Sequence, residues 1–161
     1  MDENIIIAAH HEAGHALMAY IVGWTINSIE LNIQNEQLNS AVTNYNFGED
    51  LNNNVNLNRR LLCLMGGPIS QLVFQGNNQI DINTLGEDGA TIDNLLAHLN
   101  QRTKEQTIQD SIDTTANFLN FKDNIKARLQ IIEILIERHT ITPDEFHQIM
   151  TLNNVRRMNF N

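Results

Sequence analysis

The chain has 161 residues, 42% of them hydrophobic, which is enough for one core and short for two, so a single domain over residues 1–161 is expected. Nineteen acidic residues against ten basic ones leave a formal charge of −9, which argues against nucleic acid or an anionic membrane face as a partner. The single cysteine, Cys63, excludes an internal disulfide framework and fits a reducing, cytoplasmic setting.

Taken in order, Glu3 to Val22 is expected to form the first helix, with Gly23 as its stop signal. The acidic start Met1-Asp2-Glu3-Asn4 lacks a secretory pattern, so export is not expected. The apolar run from Ile5 to Trp24 has the length of a membrane span. His10, His11, Glu12 and His15 interrupt its centre, where ionisable groups are costly, and it reads as a buried helix instead. Within it lies H-H-E-A-G-H-A, from His10 to Ala16. On a helix His11 and His15 sit one turn apart on one face, about 6 Å up the axis, a separation that one tetrahedral metal ion bridges. Glu12 follows the first imidazole directly and stays near enough to take a proton from a metal-bound water, the division of labour of H-E-x-x-H metallopeptidases. The plainer alternative is a helix with two core or surface histidines. Ala8, Ala9, Ala13, Gly14 and Ala16 keep the helix slim there, which lets another backbone approach closely.

Ser28 to Ile33 and Ala41 to Phe47 alternate polar and apolar residues, the pattern of half-buried strands. Joined through the polar Gln34 to Ser40, they are expected to pair as a small antiparallel sheet near the first helix. Its free edge is a place for an extended peptide to bind by strand addition. Gly48 to Asn56 reads as a loop. A helix then runs from about Leu57 to Phe74, with Gly66, Gly67 and Pro68 inside it marking a kink or a close helix crossing. Cys63, in the apolar L-L-C-L-M run, reads as a buried structural thiol. Gly76 to Gly86 is again loop, and the next helix is expected from near Asp88 to about Lys104 with the stripe Ile92, Leu95, Leu96, Leu99. Further helices follow over about Ile108 to Phe118, Asp123 to Arg138, and a short one entered through Thr142-Pro143-Asp144-Glu145.

A catalytic zinc held by two histidines needs a third protein ligand and an open position. Counting back along the stripe from Leu99 by threes and fours lands on Asp88, which therefore faces the core side of its helix. Asp93 falls off the stripe, and Glu87 is an outside candidate. The plainer role for Asp88 is a helix N-cap. His10, His98, His139 and His147 show no pairing at metal spacing and default to surface or capping roles.

These residues resemble the peptidase domain of the FtsH family of ATP-dependent zinc metalloproteases. The resemblance rests on His11-Glu12-Ala13-Gly14-His15-Ala16, on Met65-Gly66-Gly67, on the aspartate that opens a helix some twenty residues later, and on Leu129 to Arg138 followed by Thr142-Pro143-Asp144-Glu145. It implies a mainly α, α+β zincin-like domain in which His11, His15 and Asp88 bind one zinc ion and Glu12 is the catalytic base. Gly89-Ala90-Thr91-Ile92-Asp93 imitates the family's glycine-alanine-x-x-aspartate pattern and so admits Asp93 as well; helix phase favours Asp88. No G-x-x-x-x-G-K-[ST] phosphate loop and no membrane anchor occur, so a stand-alone relative without ATP-driven unfolding is expected. Pro68 and Ser70-Gln71-Leu72 replace the arginine and acidic residues that usually follow the double glycine, which removes the basis for carrying over the family's hexamer contacts; a homo-oligomer stays open. The expected activity is zinc-dependent hydrolysis of peptide bonds in unfolded polypeptide or short peptides. The alternative is a non-catalytic metal-containing binding or regulatory module, motivated by the changes after Gly67. Glu12 counts against it, because a structural zinc is closed by four protein ligands and needs no base.

Overall fold

Asp2 opens the first helix by accepting the Asn4 amide, and α1 then runs Glu3–Ile21 in the computed structural model, which describes residues 2–46 and 54–159. Gly23, at φ 92°, ends it: the amides of Gly23 and Trp24 turn back to the carbonyls of Tyr20 and Ala19, which satisfies two of the helix's last acceptors. Most of α1 is buried, because it lies against the sheet on one side and against helices on the others. Leu17, Met18 and Ile21 are fully enclosed, and each such side chain stabilises the fold by about 1.5–3 kcal/mol. No helix among the described residues is long and apolar enough to cross a membrane.

Strands β1 (Thr25–Gln34) and β2 (Gln37–Asn46) form an antiparallel hairpin. The polar connection expected over Gln34 to Ser40 is only a two-residue turn, Asn35-Glu36, with both residues at positive φ as a tight hairpin requires. Both strands carry an irregularity in register, between Ile26 and Ser28 on β1 and opposite Asn32 and Ile33 on β2. One extra residue reverses the side-chain phase. Ile26 and then Ile29 and Leu31 thereby all reach the core, and on β2 Leu38 faces inward with Ala41, Thr43 and Tyr45. The expected strand end at Phe47 and residues 48–53 of the expected loop lie outside the described residues.

Helix α2 spans Asn54–Phe74 and continues through Pro68. Of the two outcomes expected at Gly66-Gly67-Pro68, the close crossing is the one observed. A Cβ on Gly66 would lie 2.5 Å from the carbonyl oxygen of Gly14, and one on Gly14 would lie 2.6 Å from Cβ of Ser70. Ser70 also ties the crossing together, its hydroxyl donating to the His10 carbonyl at 2.7 Å.

After α2 a single 3-10 turn, Ile82–Leu85, stands inside the segment expected to be loop, capped by Asp81 and Thr84. It leads into α3 (Gly86–Leu95) and α4 (Gln101–Leu119). The expected helix from Asp88 to Lys104 is thus divided. Asn100 caps α4 by accepting the Thr103 amide, and the stripe from Ile92 to Leu99 carries on across the turn between the two helices. Helix α5 (Lys122–Arg138) ends at His139 in the left-handed conformation, and α6 (Pro143–Leu152) begins with a capping box between Thr142 and Glu145. Between them Thr140–Ile141 forms β3, a strand with no sequence signature of its own, which pairs antiparallel with β1 through Ile29 and Glu30. The chain is therefore mainly helical, with a three-stranded antiparallel sheet in the order β2-β1-β3, in which β2 is an edge strand among the described residues.

Candidate metal centre

His11 and His15 project from the middle of α1 toward the first turn of α3, where Asp88 stands. The Nε2 atoms of the two imidazoles are 3.0 Å apart, and Asp88 Oδ2 lies 3.2 Å from the first and 3.3 Å from the second. Three ligand atoms around a tetrahedral zinc with bonds of about 2.0–2.1 Å would be about 3.3 Å from one another. The donor set, two imidazole nitrogens and a carboxylate oxygen, fits such an ion in both spacing and chemistry.

The far sides of the imidazoles explain why these nitrogens are aimed at one point. His15 Nδ1 lies 2.8 Å from the Cys63 carbonyl oxygen, which only accepts, so Nδ1 carries the proton and Nε2 presents a lone pair. His11 Nδ1 lies 3.0 Å from the side-chain oxygen of Gln71, which sets the same tautomer. Two neutral histidines so oriented would bring two lone pairs and a carboxylate oxygen together, a repulsive arrangement unless a cation sits among them. A proton serves when no metal does. Burial opposes a charge on His15, but the hydrogen bonds and charges of Asp88 and Cys63 outweigh it and raise its pKa well above the usual histidine range. Burial likewise opposes the charge on Asp88, and the hydrogen bonds and charges of His11 and His15 hold its carboxyl well below the usual carboxylate range.

Helix α2 supplies this outer layer from one face. Cys63, Gly67 and Gln71 recur every four residues and so form a stripe along the helix. Gly67 lies between the two hydrogen-bonding positions, directly over the His15 ring: a Cβ there would be 2.5 Å from Cδ2 and 2.7 Å from Cε1. The glycine leaves room for the imidazole. Neither Cys63 nor Gln71 follows from the histidine motif, although their spacing of four on either side of Gly67 marks the face that meets α1.

Glu12 is 6% exposed, and its carboxylate accepts a hydrogen bond of 2.7 Å from the Thr43 hydroxyl on β2. It lines, with His11, His15 and Asp88, a cleft of about 470 Å³ walled by β2 from Ala41 to Tyr45, by Leu64, Pro68 and Leu72 of α2, and by Thr84 to Glu87. The sequence motif marks Glu12 and gives no sign of its partner, because the bulge that turns Thr43 inward is a property of strand pairing.

Asp88 is the third residue of α3 and not its cap; that position belongs to Leu85, which makes no side-chain bond. Asp93 points elsewhere and pairs with Lys104 at 2.5 Å. Glu87 is exposed at the cleft wall and is not part of the three-residue cluster. Of the remaining histidines, His98 and His147 are exposed and His139 caps α5. His10 is less bland than its expected surface role, since it stacks on Phe74 at 3.9 Å. Burial, helped by the charge of Arg128, lowers its pKa from 6.5 to about 4.

No protein-family model matches the chain, and no curated protein matches it.

Proposed function

We propose that the chain is a zinc-dependent peptidase of the kind its resemblance to the FtsH peptidase domain implies, acting on unfolded polypeptide or short peptides. The observation that carries this reading is the convergence of His11 Nε2, His15 Nε2 and Asp88 Oδ2 beside the Glu12 carboxylate in an open cleft. Among the described residues three protein ligands converge rather than four, which is the number a catalytic zinc site provides. His11, His15 and Asp88 would hold the ion, which when bound supplies Lewis-acid polarisation of the scissile carbonyl and lowers the pKa of a water.

The chain's own groups do the rest. Glu12 takes the proton of the attacking water on its carboxylate and returns it to the nitrogen of the departing amine, so that it begins and ends ionised. Gln71 and the Cys63 carbonyl keep the two imidazoles in the tautomer that leaves both Nε2 atoms free. The edge strand β2 borders the cleft, and an extended peptide would lie beside it by strand addition, with Leu64, Pro68, Leu72 and Leu85 offering an apolar wall to its side chains. A segment already unfolded meets that requirement without further work.

Elemental analysis of the purified protein and of Glu12→Gln, alongside cleavage of casein, tests the proposal. One zinc per chain in both, with chelator-sensitive cleavage by the wild type alone, is the expected result. Zinc in both without cleavage of any peptide would favour a metal-containing binding module, and no metal in either would overturn the reading altogether.

A further inference from the structure

We infer that Thr43 is the positioning residue for the catalytic base: its hydroxyl holds one oxygen of the Glu12 carboxylate and leaves the other as the proton carrier. The inference deepens the peptidase reading and rests on it. Glu12 as a residue is 6% exposed, and a carboxylate on so enclosed a residue needs a hydrogen-bond donor; among the described residues the Thr43 hydroxyl is the one that supplies it, 2.7 Å from Oε2. The same hydroxyl also lies 3.1 Å from the Glu12 backbone oxygen, and its single proton goes to the nearer and charged acceptor, Oε2. At 2.7 Å a hydroxyl facing an ionised carboxylate makes a charge-assisted bond, roughly twice as strong as a neutral one.

The arrangement suits both halves of the reaction. While Glu12 is ionised, the bond to Oε2 fixes the carboxylate and Oε1 receives the proton from water. Once Oε1 is protonated, Oε2 is a carbonyl-type oxygen that still accepts from Thr43, so the donor does not turn over when the proton arrives. The proton then leaves Oε1 for the amine nitrogen, and the bond to Thr43 is the same at the end as at the start.

Thr43 reaches this place because of the extra residue in β2. Without the irregularity near Asn39, strand alternation from Leu38 would turn Val42 inward, a side chain of threonine's shape without a hydroxyl. With it, Ala41, Thr43 and Tyr45 face inward. The residue that orients the base is thus part of the edge strand along which a peptide would lie, and disturbance of that strand reaches Glu12 through one hydrogen bond.

Thr43→Val, Thr43→Ala and Thr43→Ser, each loaded with zinc, separate this role from a packing role. Loss of the hydroxyl in the valine and alanine variants is expected to lower kcat about 10- to 100-fold with little change in KM or zinc content, the range for a hydrogen bond to a charged group. Serine, which keeps the hydroxyl and loses the methyl, is expected to restore kcat to within a few fold. A second readout needs no turnover: in metal-free protein labelled with 13C at the glutamate carboxyl carbons, the signal identified by its loss in Glu12→Gln should move in Thr43→Val and stay in Thr43→Ser. An unchanged kcat in Thr43→Val, equal damage by serine and valine, loss of zinc from Thr43→Val, or an unmoved Glu12 signal would each overturn the role of Thr43. A wild type that cleaves nothing overturns the peptidase reading instead.

Discussion

Replacing Gly67 by alanine puts one methyl group between α2 and the ring of His15. The new Cβ would stand 2.5 Å from Cδ2 and 2.7 Å from Cε1, where carbon atoms rest comfortably at about 3.5–4.0 Å, so the imidazole must retreat by about 1 Å. It cannot do so freely, because Nδ1 is bonded at 2.8 Å to the Cys63 carbonyl one turn away on the same helix. Alanine gains about 1 kcal/mol of helix propensity over glycine, whereas overpacking a filled site costs about 1–3 kcal/mol. The two nearly cancel, and folding stability should fall by no more than about 2 kcal/mol. Metal binding has no such compensation. Ligand distances in a zinc site tolerate about 0.2 Å, so a displacement of about 1 Å at His15 Nε2 should weaken zinc at least as much as loss of an outer hydrogen bond, about 10- to 100-fold. Competition with a chromophoric chelator gives the zinc affinity, and thermal denaturation of the metal-free protein gives the stability. Wild-type zinc affinity in a folded Gly67→Ala would refute the reasoning, since the methyl group would then have found room without moving the ligand.

Gln71→Leu removes the acceptor that sets the His11 tautomer and should cost about 10- to 100-fold in zinc affinity in the same competition assay, with the fold retained. Asp88→Asn should abolish tight zinc binding, whereas Asp93→Asn, which loses only the pair with Lys104, should leave metal content unchanged; the reverse result by elemental analysis would exchange the two aspartates. The pH dependence follows from the raised His15 and the lowered Asp88. In the metal-free protein the His15 contribution to stability is fully present below pH 6.5 and is lost as pH rises through the raised folded value. The Asp88 contribution is present above 3.8 and is lost as pH falls toward the lower folded value. Their pair should therefore stabilise the metal-free protein most between those two limits. Zinc has to displace the His15 proton, so its affinity should rise as pH rises through the neutral range, with proton release visible as a buffer-dependent heat in calorimetry. An affinity that does not change with pH would contradict the assignment of that proton to His15.

The parts of the candidate site that lie within one helix are legible from helical periodicity alone. His11, Glu12 and His15 stand in fixed relation because an α-helix repeats every 3.6 residues, and Asp88 shares a face with the buried Ile92 one turn on in α3, although the count from Leu99 and Leu96 runs past the end of that helix. The small sheet was legible from alternation, but its bulges were not. An extra residue in a strand is fixed by what the partner strand offers, and Asn39 and Ser40 carry no mark of it. The division between α3 and α4 is hidden in the sequence, because the apolar stripe from Ile92 to Leu99 continues across the turn and obscures the cap at Asn100.

The sequence by itself determined which chemical groups the chain carries and, through helical periodicity, which of them share a face. Tertiary structure decided which faces meet. Gly14, Gly66 and Gly67 let α1 and α2 cross closely enough for Cys63 and Gln71 to orient the two histidines, and the packing of α3 brings Asp88 within 3.3 Å of both. One irregularity in β2 turns Thr43 toward Glu12. The physical reason is a difference of range: helix phase is set by bonds four residues apart, whereas these meetings join positions dozens of residues apart and depend on the shapes of both surfaces.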